Sequence, residues 1–125
     1  MPDKTVLFGL DGATFHVLDD LIRNGTMPHL SRFIASGVRA TLVSTENPMT
    51  ANAWPSMITG VMPGRHGVFD FIHTTETDGR VFFKLTDSRD IGCDTIWTIL
   101  TDQGYMVASL NFPLSFPVSC PAKSI

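Results

Sequence analysis

The sequence has few cysteines and no long apolar segment. Only two cysteines, Cys93 and Cys120, occur in 125 residues, and their spacing is not that of a metal-binding pair. A disulfide-stabilised secreted scaffold is therefore not indicated. Because Met1–Lys4 lead into a short apolar segment without a secretory-signal pattern, we expect a cytoplasmic location. No apolar run approaches the roughly 20 residues of a membrane-spanning helix, so we expect no membrane partner.

Positive charge is also scarce. Nine Lys and Arg residues against twelve Asp and Glu residues give a formal net charge of -3 at pH 7, and the basic residues form no run. A nucleic-acid polymer is therefore not an expected partner, whereas a small phosphate ester is compatible with this charge. The 43% hydrophobic content is that of a globular domain with its own core.

Short apolar segments alternate with helical patterns along the chain. Continuous apolar character predicts buried parallel strands at Thr5–Leu10, Val38–Thr45 and Tyr105–Leu110. Apolar residues at helical spacing predict helices over Phe15–Ile22, Met27–Ile34 and Asp94–Leu100, with Asp94 as the capping residue. This order predicts an α/β domain, doubly wound, with a mostly parallel sheet and helices on both faces.

A second kind of sheet element is predicted after the middle of the chain. Phe69–Ile72 and Val81–Leu85 are expected to pair as an exposed hairpin, with a turn at Asp78-Gly79.

An incomplete sheet exposes an apolar edge. We therefore expect self-association through that edge.

Asp11 directly follows the first predicted strand. In open α/β sheets, ligands bind at the carboxyl ends of the strands, and a carboxylate there is well placed to hold a cation. Asp11 is therefore a candidate metal ligand. The alternative is a turn aspartate that bonds to its own backbone.

Thr50 is the second candidate. Pro55 fits the first turn of a helix, so the helix is predicted to begin near Asn52 and to end at Thr59-Gly60. Thr50 would then lie on the loop before the helix, where the positive end of the dipole favours an anion and eases ionisation of the hydroxyl. This position makes Thr50 a candidate nucleophile for phosphoryl transfer. The alternative is an ordinary capping threonine.

Several short motifs follow one another in a definite order along the chain. They are Val6–Gly12, Thr50 with Ala53-Trp54, Thr59-Gly60, Pro63–Gly67, Thr95–Trp97 and Asn111–Leu114. In order and spacing, these motifs resemble the type I phosphodiesterase and nucleotide pyrophosphatase family of the alkaline phosphatase superfamily. The resemblance implies an alkaline-phosphatase-like fold and a site with two divalent metal ions, usually zinc. It also implies that Thr50 attacks phosphorus while Asp11 holds the activating metal, which Thr50 itself ligates.

The resemblance also implies residues that hold the substrate. Asn52 and Asp70 are the candidates for substrate binding. In nucleotide-cleaving members an asparagine soon after the His-Gly pair helps to hold the phosphoryl oxygen, whereas this chain has Asp70-Phe71 there. Nucleotide specificity is therefore not implied.

The family's remaining ligands come from later Asp and His motifs, none of which occurs in this sequence. We therefore expect residues 1–125 to be the N-terminal portion of a single alkaline-phosphatase-like catalytic domain, truncated after about residue 115. The expected function is metal-dependent hydrolysis of phosphate esters through Thr50, with the isolated chain weakly active or inactive. The alternative is a non-catalytic α/β fragment or interaction domain.

Other hydrolase and nucleotide-binding patterns fit less well. Haloacid-dehalogenase-type phosphatases need a nucleophilic aspartate where this chain has Gly9. Sulfatases need a Cys or Ser with Pro and Arg just downstream, which the sequence after Thr50 lacks. Gly9 and Gly12 alone do not make the glycine-rich turn that binds a dinucleotide.

Overall fold

The structure is a computed structural model that describes residues 4–118. Contacts within the chain divide it into two units, Met1–Leu42 and Val43–Ile125. The described residues form five α-helices, one short 3-10 helix and a two-stranded antiparallel sheet. The fold is therefore mixed α/β.

The first unit contains two helices, and both were predicted. Helix α1 spans Phe15–Arg23 and helix α2 spans Pro28–Ala35. Helix α2 begins with proline. A backbone N–H at the first helical position has no intrahelical partner, so the missing N–H of proline costs no hydrogen bond there. Arg39 lies over the Phe15 ring at 3.8 Å and pairs with Asp19 at 2.9 Å. The Arg39 hydrogen bond lowers the pKa of the Asp19 carboxyl.

The second unit contains the remaining elements. They are α3 (Thr50–Thr59), α4 (Pro63–His66), β1 (Ile72–Thr77), β2 (Arg80–Leu85), the 3-10 helix (Ser88–Asp90) and α5 (Ile96–Asp102). The predicted cap of α5 is off by one residue, since Thr95 rather than Asp94 accepts a hydrogen bond from the Thr98 N–H. Helix α4 was predicted only as a turn-rich loop.

The hairpin forms, but its first strand is not the predicted one. Asp78 and Gly79 both have positive φ angles, 52° and 70°, as a two-residue type I′ turn requires. This turn pairs Thr77 with Arg80, so that Ile72 pairs with Leu85. The predicted pairing of Phe69–Ile72 is therefore wrong, because the polar stretch after Ile72 supplies the first strand. Alternation along the strands then puts four exposed apolar side chains on one face: Ile72, Val81, Phe83 and Leu85.

The doubly wound parallel sheet does not appear in residues 4–118. The segments predicted as its strands, Thr5–Leu10, Val38–Thr45 and Tyr105–Leu110, have no assigned strand, and the sheet in this part of the chain consists of β1 and β2. Many of their apolar side chains face solvent, as at Val38 (97% exposed) and Met106 (90%). A strand needs neighbours to satisfy its backbone groups and cover its side chains. The apolar runs predicted that these segments are buried on both faces. The described residues provide no strands or helices that cover them.

Buried apolar residues cluster in the second unit. Ala51 and Ile58 of α3 lie with Val68 in its interior. Phe112 contacts the rings of Trp54 and Trp97 edge-on, at centroid distances of 4.7 Å and 5.0 Å. Helix α3 therefore packs at the centre of its unit.

Within residues 4–118 we find no helix that combines the length and apolar character needed to cross a membrane.

Candidate functional site

Thr50 is the first residue of α3 and is half-buried. The preceding residue, Met49, has an extended backbone, and its carbonyl accepts from the Asn52 and Ala53 N–H groups at 3.3 Å and 3.0 Å. Thr50 is therefore at the positive end of a ten-residue helix. The N-cap residue of this helix is Met49.

The start of α3 near Asn52 was predicted two residues too late. The helix begins at Thr50, which puts Pro55 at its sixth position rather than in its first turn. Pro55 cannot donate a backbone hydrogen bond to the carbonyl four residues earlier. Two neighbouring hydroxyls also bond to carbonyls of the helix: Ser56 Oγ donates to the Asn52 carbonyl at 2.9 Å, and Thr59 Oγ1 donates to the Pro55 carbonyl at 2.7 Å. The predicted end of the helix is confirmed, because Gly60 has the left-handed φ of 70°.

Asn52 is buried, with 3% of its surface exposed. Its Oδ1 atom lies 3.1 Å from Thr45 Oγ1, and the same hydroxyl lies 2.8 Å from the Asn47 carbonyl. Asn52 was predicted to bind substrate, and that prediction stays untested. What the geometry provides is a buried polar contact between the first turn of α3 and the segment that leads into it.

His66 forms a second buried polar contact with α3. Its side chain is fully buried, and its Nε2 atom lies 2.8 Å from Ser56 Oγ. Its Nδ1 atom accepts the Val68 N–H at 3.1 Å. Burial lowers the pKa of the imidazole, and a backbone contact with Asn52 opposes this shift to a smaller extent. Burial therefore favours the neutral imidazole.

Asp70 lies on the exposed segment between α4 and β1. Its Oδ1 atom accepts the N–H of Phe71 at 2.6 Å, and its carbonyl accepts from Thr86 Oγ1 at 2.6 Å. These contacts anchor the loop to the residue that follows β2. The predicted role of Asp70 in substrate binding is a separate matter and stays a prediction.

Asp11 lies in an exposed turn of the first unit. Gly12 follows it with a φ of 67°, and the Gly12 carbonyl accepts the Thr14 N–H at 3.0 Å just before α1. Asp11 was expected at the carboxyl end of a strand, but residues 4–10 are assigned no strand. The prediction that Asp11 and Thr50 share one cation stays a prediction.

A metal centre needs several donor side chains close together. Residues 4–118 contain no group of three or more His, Cys, Asp or Glu side chains that could hold one ion. The described residues therefore do not by themselves assemble a complete two-metal centre.

Sequence reasoning singled out Thr50 and Asn52, which the structure places in one helical turn. It missed Thr45, Ser56 and His66 as the buried polar partners of α3. The available signal was the His66-Gly67 pair at the end of a Pro-Gly turn, since a histidine there has to be either exposed or hydrogen-bonded.

The chain matches a protein-family model. The family model described as type I phosphodiesterase / nucleotide pyrophosphatase matches residues 5–123. Searches of curated proteins and of solved structures gave no match. The matched stretch covers most of each unit and all four candidate site residues.

Proposed function

The chain belongs to the type I phosphodiesterase / nucleotide pyrophosphatase family, and we propose that it takes part in hydrolysing a small phosphate ester with Thr50 as nucleophile. Family membership supports phosphoric-ester hydrolysis as the reaction class. The observation that supports the nucleophile is the position of Thr50 as the first residue of α3. At that position the helix dipole favours the negative charge of a phosphoryl group and of an ionising hydroxyl.

The proposed reaction has two steps. Thr50 Oγ loses its proton and attacks phosphorus, the bond from phosphorus to the leaving oxygen breaks, and the leaving group takes up a proton. Water then attacks the phosphothreonine, which releases the phosphate product and restores the hydroxyl. Because a threonine hydroxyl is a weak nucleophile at neutral pH, the first step needs an activating group beyond the helix dipole.

We propose two divalent metal ions, with zinc as the first metal to test. Bound dications would activate the hydroxyl and stabilise the leaving oxygen. Asp11 and Thr50 offer oxygen donors, but two donors do not complete even one four-coordinate site. The described residues do not fit the whole metal centre, so further ligands would come from polypeptide outside them.

The exposed apolar segments support an incomplete catalytic domain. We propose that Thr5–Leu10, Val38–Thr45 and Tyr105–Leu110 become strands of a doubly wound, alkaline-phosphatase-like sheet when the rest of the domain is present. Side chains such as Val6 (84% exposed) and Leu110 (85%) would then be covered on both faces. Residues 1–125 would be the N-terminal portion of that domain.

Activity measurements test this proposal in two arms. The purified chain with zinc and a nitrophenyl phosphodiester should release nitrophenol at little more than the background rate. The chain extended through the downstream reading frame should be active, and Thr50→Ala should reduce its rate by at least about 10³-fold. Thr75→Ala, an exposed threonine in β1, is the matched control.

Three results would oppose the proposal. Enzyme-like, zinc-dependent turnover by residues 1–125 alone would show that the chain is not an incomplete domain. Full activity of the Thr50→Ala variant in the extended protein would show that Thr50 is not the nucleophile. A downstream frame without Asp and His motifs would also oppose an incomplete domain.

Zinc titration separates the hydrolase from a non-catalytic α/β interaction domain. In calorimetry, the isolated chain should bind zinc weakly through Asp11 and Thr50, and Asp11→Asn should abolish that signal. Two tight sites would instead indicate a self-sufficient enzyme. No heat in either the isolated or the extended chain would favour the interaction domain.

We also propose self-association through an exposed sheet edge, for which the hairpin is the candidate among the described residues. The apolar face of the hairpin, formed by Ile72, Val81, Phe83 and Leu85, is exposed, and Phe83 has 79% of its surface in solvent. Size-exclusion chromatography should show concentration-dependent dimers, and Phe83→Lys should weaken them. A monomer at high concentration would contradict this proposal.

A cytoplasmic location is proposed from the low cysteine content. Cys93 is a free thiol, which suits a reducing compartment. Fractionation of cells that express the protein with an epitope tag should recover it with cytoplasmic markers.

A further inference from the structure

His66 is a buried titratable residue that the proposed reaction does not use. It ends α4, and its side chain reaches two other parts of the unit: Ser56 on α3 and the backbone of Val68. Its carbonyl also accepts the Gly92 N–H at 2.9 Å. One residue therefore connects α3, the turn after α4 and the loop before α5.

The hydrogen bonds fix which ring nitrogen carries the proton. The Val68 N–H can only donate, so the Nδ1 atom that accepts it has no proton. A neutral imidazole then carries its proton on Nε2, which donates to Ser56 Oγ. Ser56 in turn donates to the Asn52 carbonyl. The chain of donors therefore runs from His66 through Ser56 to α3, and His66 cannot act as a base toward Ser56 in this arrangement.

We propose that His66, as the neutral Nε2–H form, is a positioning residue that clamps α3 and thereby sets the location of Thr50. The clamp is defined as the contacts of His66 with Ser56 and Val68. It acts on α3 six residues after Thr50, while Thr45 and Asn52 hold the first turn. The consequence for Thr50 rests on the function proposed above, whereas the clamp itself does not.

The surroundings of His66 favour the neutral ring. Helix α3 has no ionisable side chain, and α4 contributes only Arg65 beside His66 itself. On the segment that ends at Gly92, the charged groups are Asp87, Arg89 and Asp90. They are engaged elsewhere, since Asp87 pairs with Arg89 and Asp90 with Lys84 of β2. A proton added to Nδ1 would face the Val68 N–H, so acidification should open the clamp.

The proton position can be observed directly. A long-range ¹H–¹⁵N spectrum of the wild-type chain with labelled histidine should show His66 as the neutral Nε2–H form at pH 7. The other three histidines are exposed and serve as internal references. A protonated imidazolium or a neutral Nδ1–H form at pH 7 would overturn the proposal, whatever the variants do.

Two histidine variants separate the two halves of the clamp. In His66→Asn the side-chain oxygen can still accept the Val68 N–H, but nothing reaches Ser56. In His66→Gln the terminal amide can still donate to Ser56. Amide exchange of α3, followed by mass spectrometry, should accelerate about tenfold in His66→Asn and in Ser56→Ala, the effect of losing one buried hydrogen bond. His66→Gln should restore much of the protection.

Substitutions away from His66 should not affect amide exchange of α3. Ser31→Ala changes a serine in α2 and should leave amide exchange of α3 unchanged. Amide exchange of the β1–β2 hairpin should stay unchanged in every variant. Unchanged α3 exchange in both His66→Asn and Ser56→Ala would overturn the proposal. Because no activity is measured, this outcome is independent of whether Thr50 is a nucleophile. A variant that fails to fold leaves the spectrum of the wild-type chain as the deciding measurement.

Discussion

Thr45 Oγ1 lies 3.1 Å from Asn52 Oδ1, and both residues are buried. The same hydroxyl also donates to the Asn47 carbonyl at 2.8 Å, so its single proton is shared between two acceptors. This contact joins the chain entering α3 to the first turn of the helix. It holds the backbone on both sides of Thr50.

The first prediction concerns this contact. Thr45→Val keeps the side-chain shape but removes the hydroxyl, which leaves Asn52 Oδ1 and the Asn47 carbonyl without that donor. The free energy of unfolding should fall by about 1–3 kcal/mol, measured by urea denaturation. Thr75→Val, at an exposed position of β1, should change it by less than about 0.5 kcal/mol. Equal effects of the two substitutions would show that the Thr45 contact has no special weight.

Helices α1 and α2 could be predicted because their apolar residues repeat at helical spacing and their ends carry local signals. Gly25 follows α1 with a φ of 78°, and Pro28 opens α2. The start of α3 could not be predicted in the same way. The rule that proline belongs in a first turn placed the start two residues late, because α3 holds Pro55 at its sixth position.

The apolar segments show a different limit of sequence reasoning. A run such as Thr5–Leu10 indicates side chains that need burial on both faces, but it does not name the strands that would cover them. Pairing partners are distant in sequence, and the described residues do not supply them. Asp78-Gly79 is the opposite case, since this turn was predicted from two adjacent residues and fits the pairing of Thr77 with Arg80.

The sequence predicted candidate residues near the start of a helix, and their roles stay predictions. Thr50 and Asn52 were identified, and the structure places both in the first turn of α3. The clamp residues were not identified, because a buried histidine is recognised from its partners, and Ser56 and Val68 contact His66 only after α3 and α4 have packed.

The second prediction concerns the hairpin turn. Gly79 has a φ of 70°, and alanine in the left-handed region costs about 1–2 kcal/mol. Because every residue of β1 and β2 is exposed, few packing contacts offset that cost. Gly79→Ala should therefore lower the population of the hairpin, seen as faster amide exchange in β1 and β2.

Gly64→Ala is the matched control for the turn. Gly64 lies in α4 without a positive φ, and an added Cβ would meet no atom within 4 Å. This variant should leave exchange in the hairpin unchanged. If amide exchange in β1 and β2 were as slow in Gly79→Ala as in the wild type, packing rather than the turn would determine the register.

The third prediction concerns pH. Hydrogen bonds from the Arg89 side chain and backbone lower the pKa of Asp87 to about 2. Because the folded-state pKa lies below the unfolded one, the stabilisation is fully present above the ordinary Asp pKa of about 3.9 and is lost as the pH falls toward 2. Asp87→Asn should lower the urea midpoint at pH 6, and the difference from the wild type should disappear near pH 2.

Glu76→Gln removes a carboxylate from β1 without touching the turn at Asp87. Its urea midpoint should follow that of the wild type between pH 6 and pH 2. NMR titration of the Asp87 carboxyl provides the direct measurement. An ordinary pKa for that carboxyl in the folded chain would contradict the prediction.

The last prediction concerns Phe112, whose ring contacts Trp54 of α3 at an interplanar angle of 83° and Trp97 of α5 at 76°. Edge-to-face pairs stabilise beyond their buried area, and the ring also fills space between the two helices. Since Phe112 is half-buried, Phe112→Ala should lower the free energy of unfolding by about 2–4 kcal/mol, with a red shift of tryptophan emission. Phe112→Leu keeps apolar volume without the ring and should cost about half as much. Phe33→Ala, at an exposed position of α2, should cost less than about 0.5 kcal/mol. If Phe112→Leu lowered the free energy of unfolding as much as Phe112→Ala, the edge contacts of the ring rather than its apolar volume would join α3 to α5. If both variants cost as little as Phe33→Ala, Phe112 would not join the two helices.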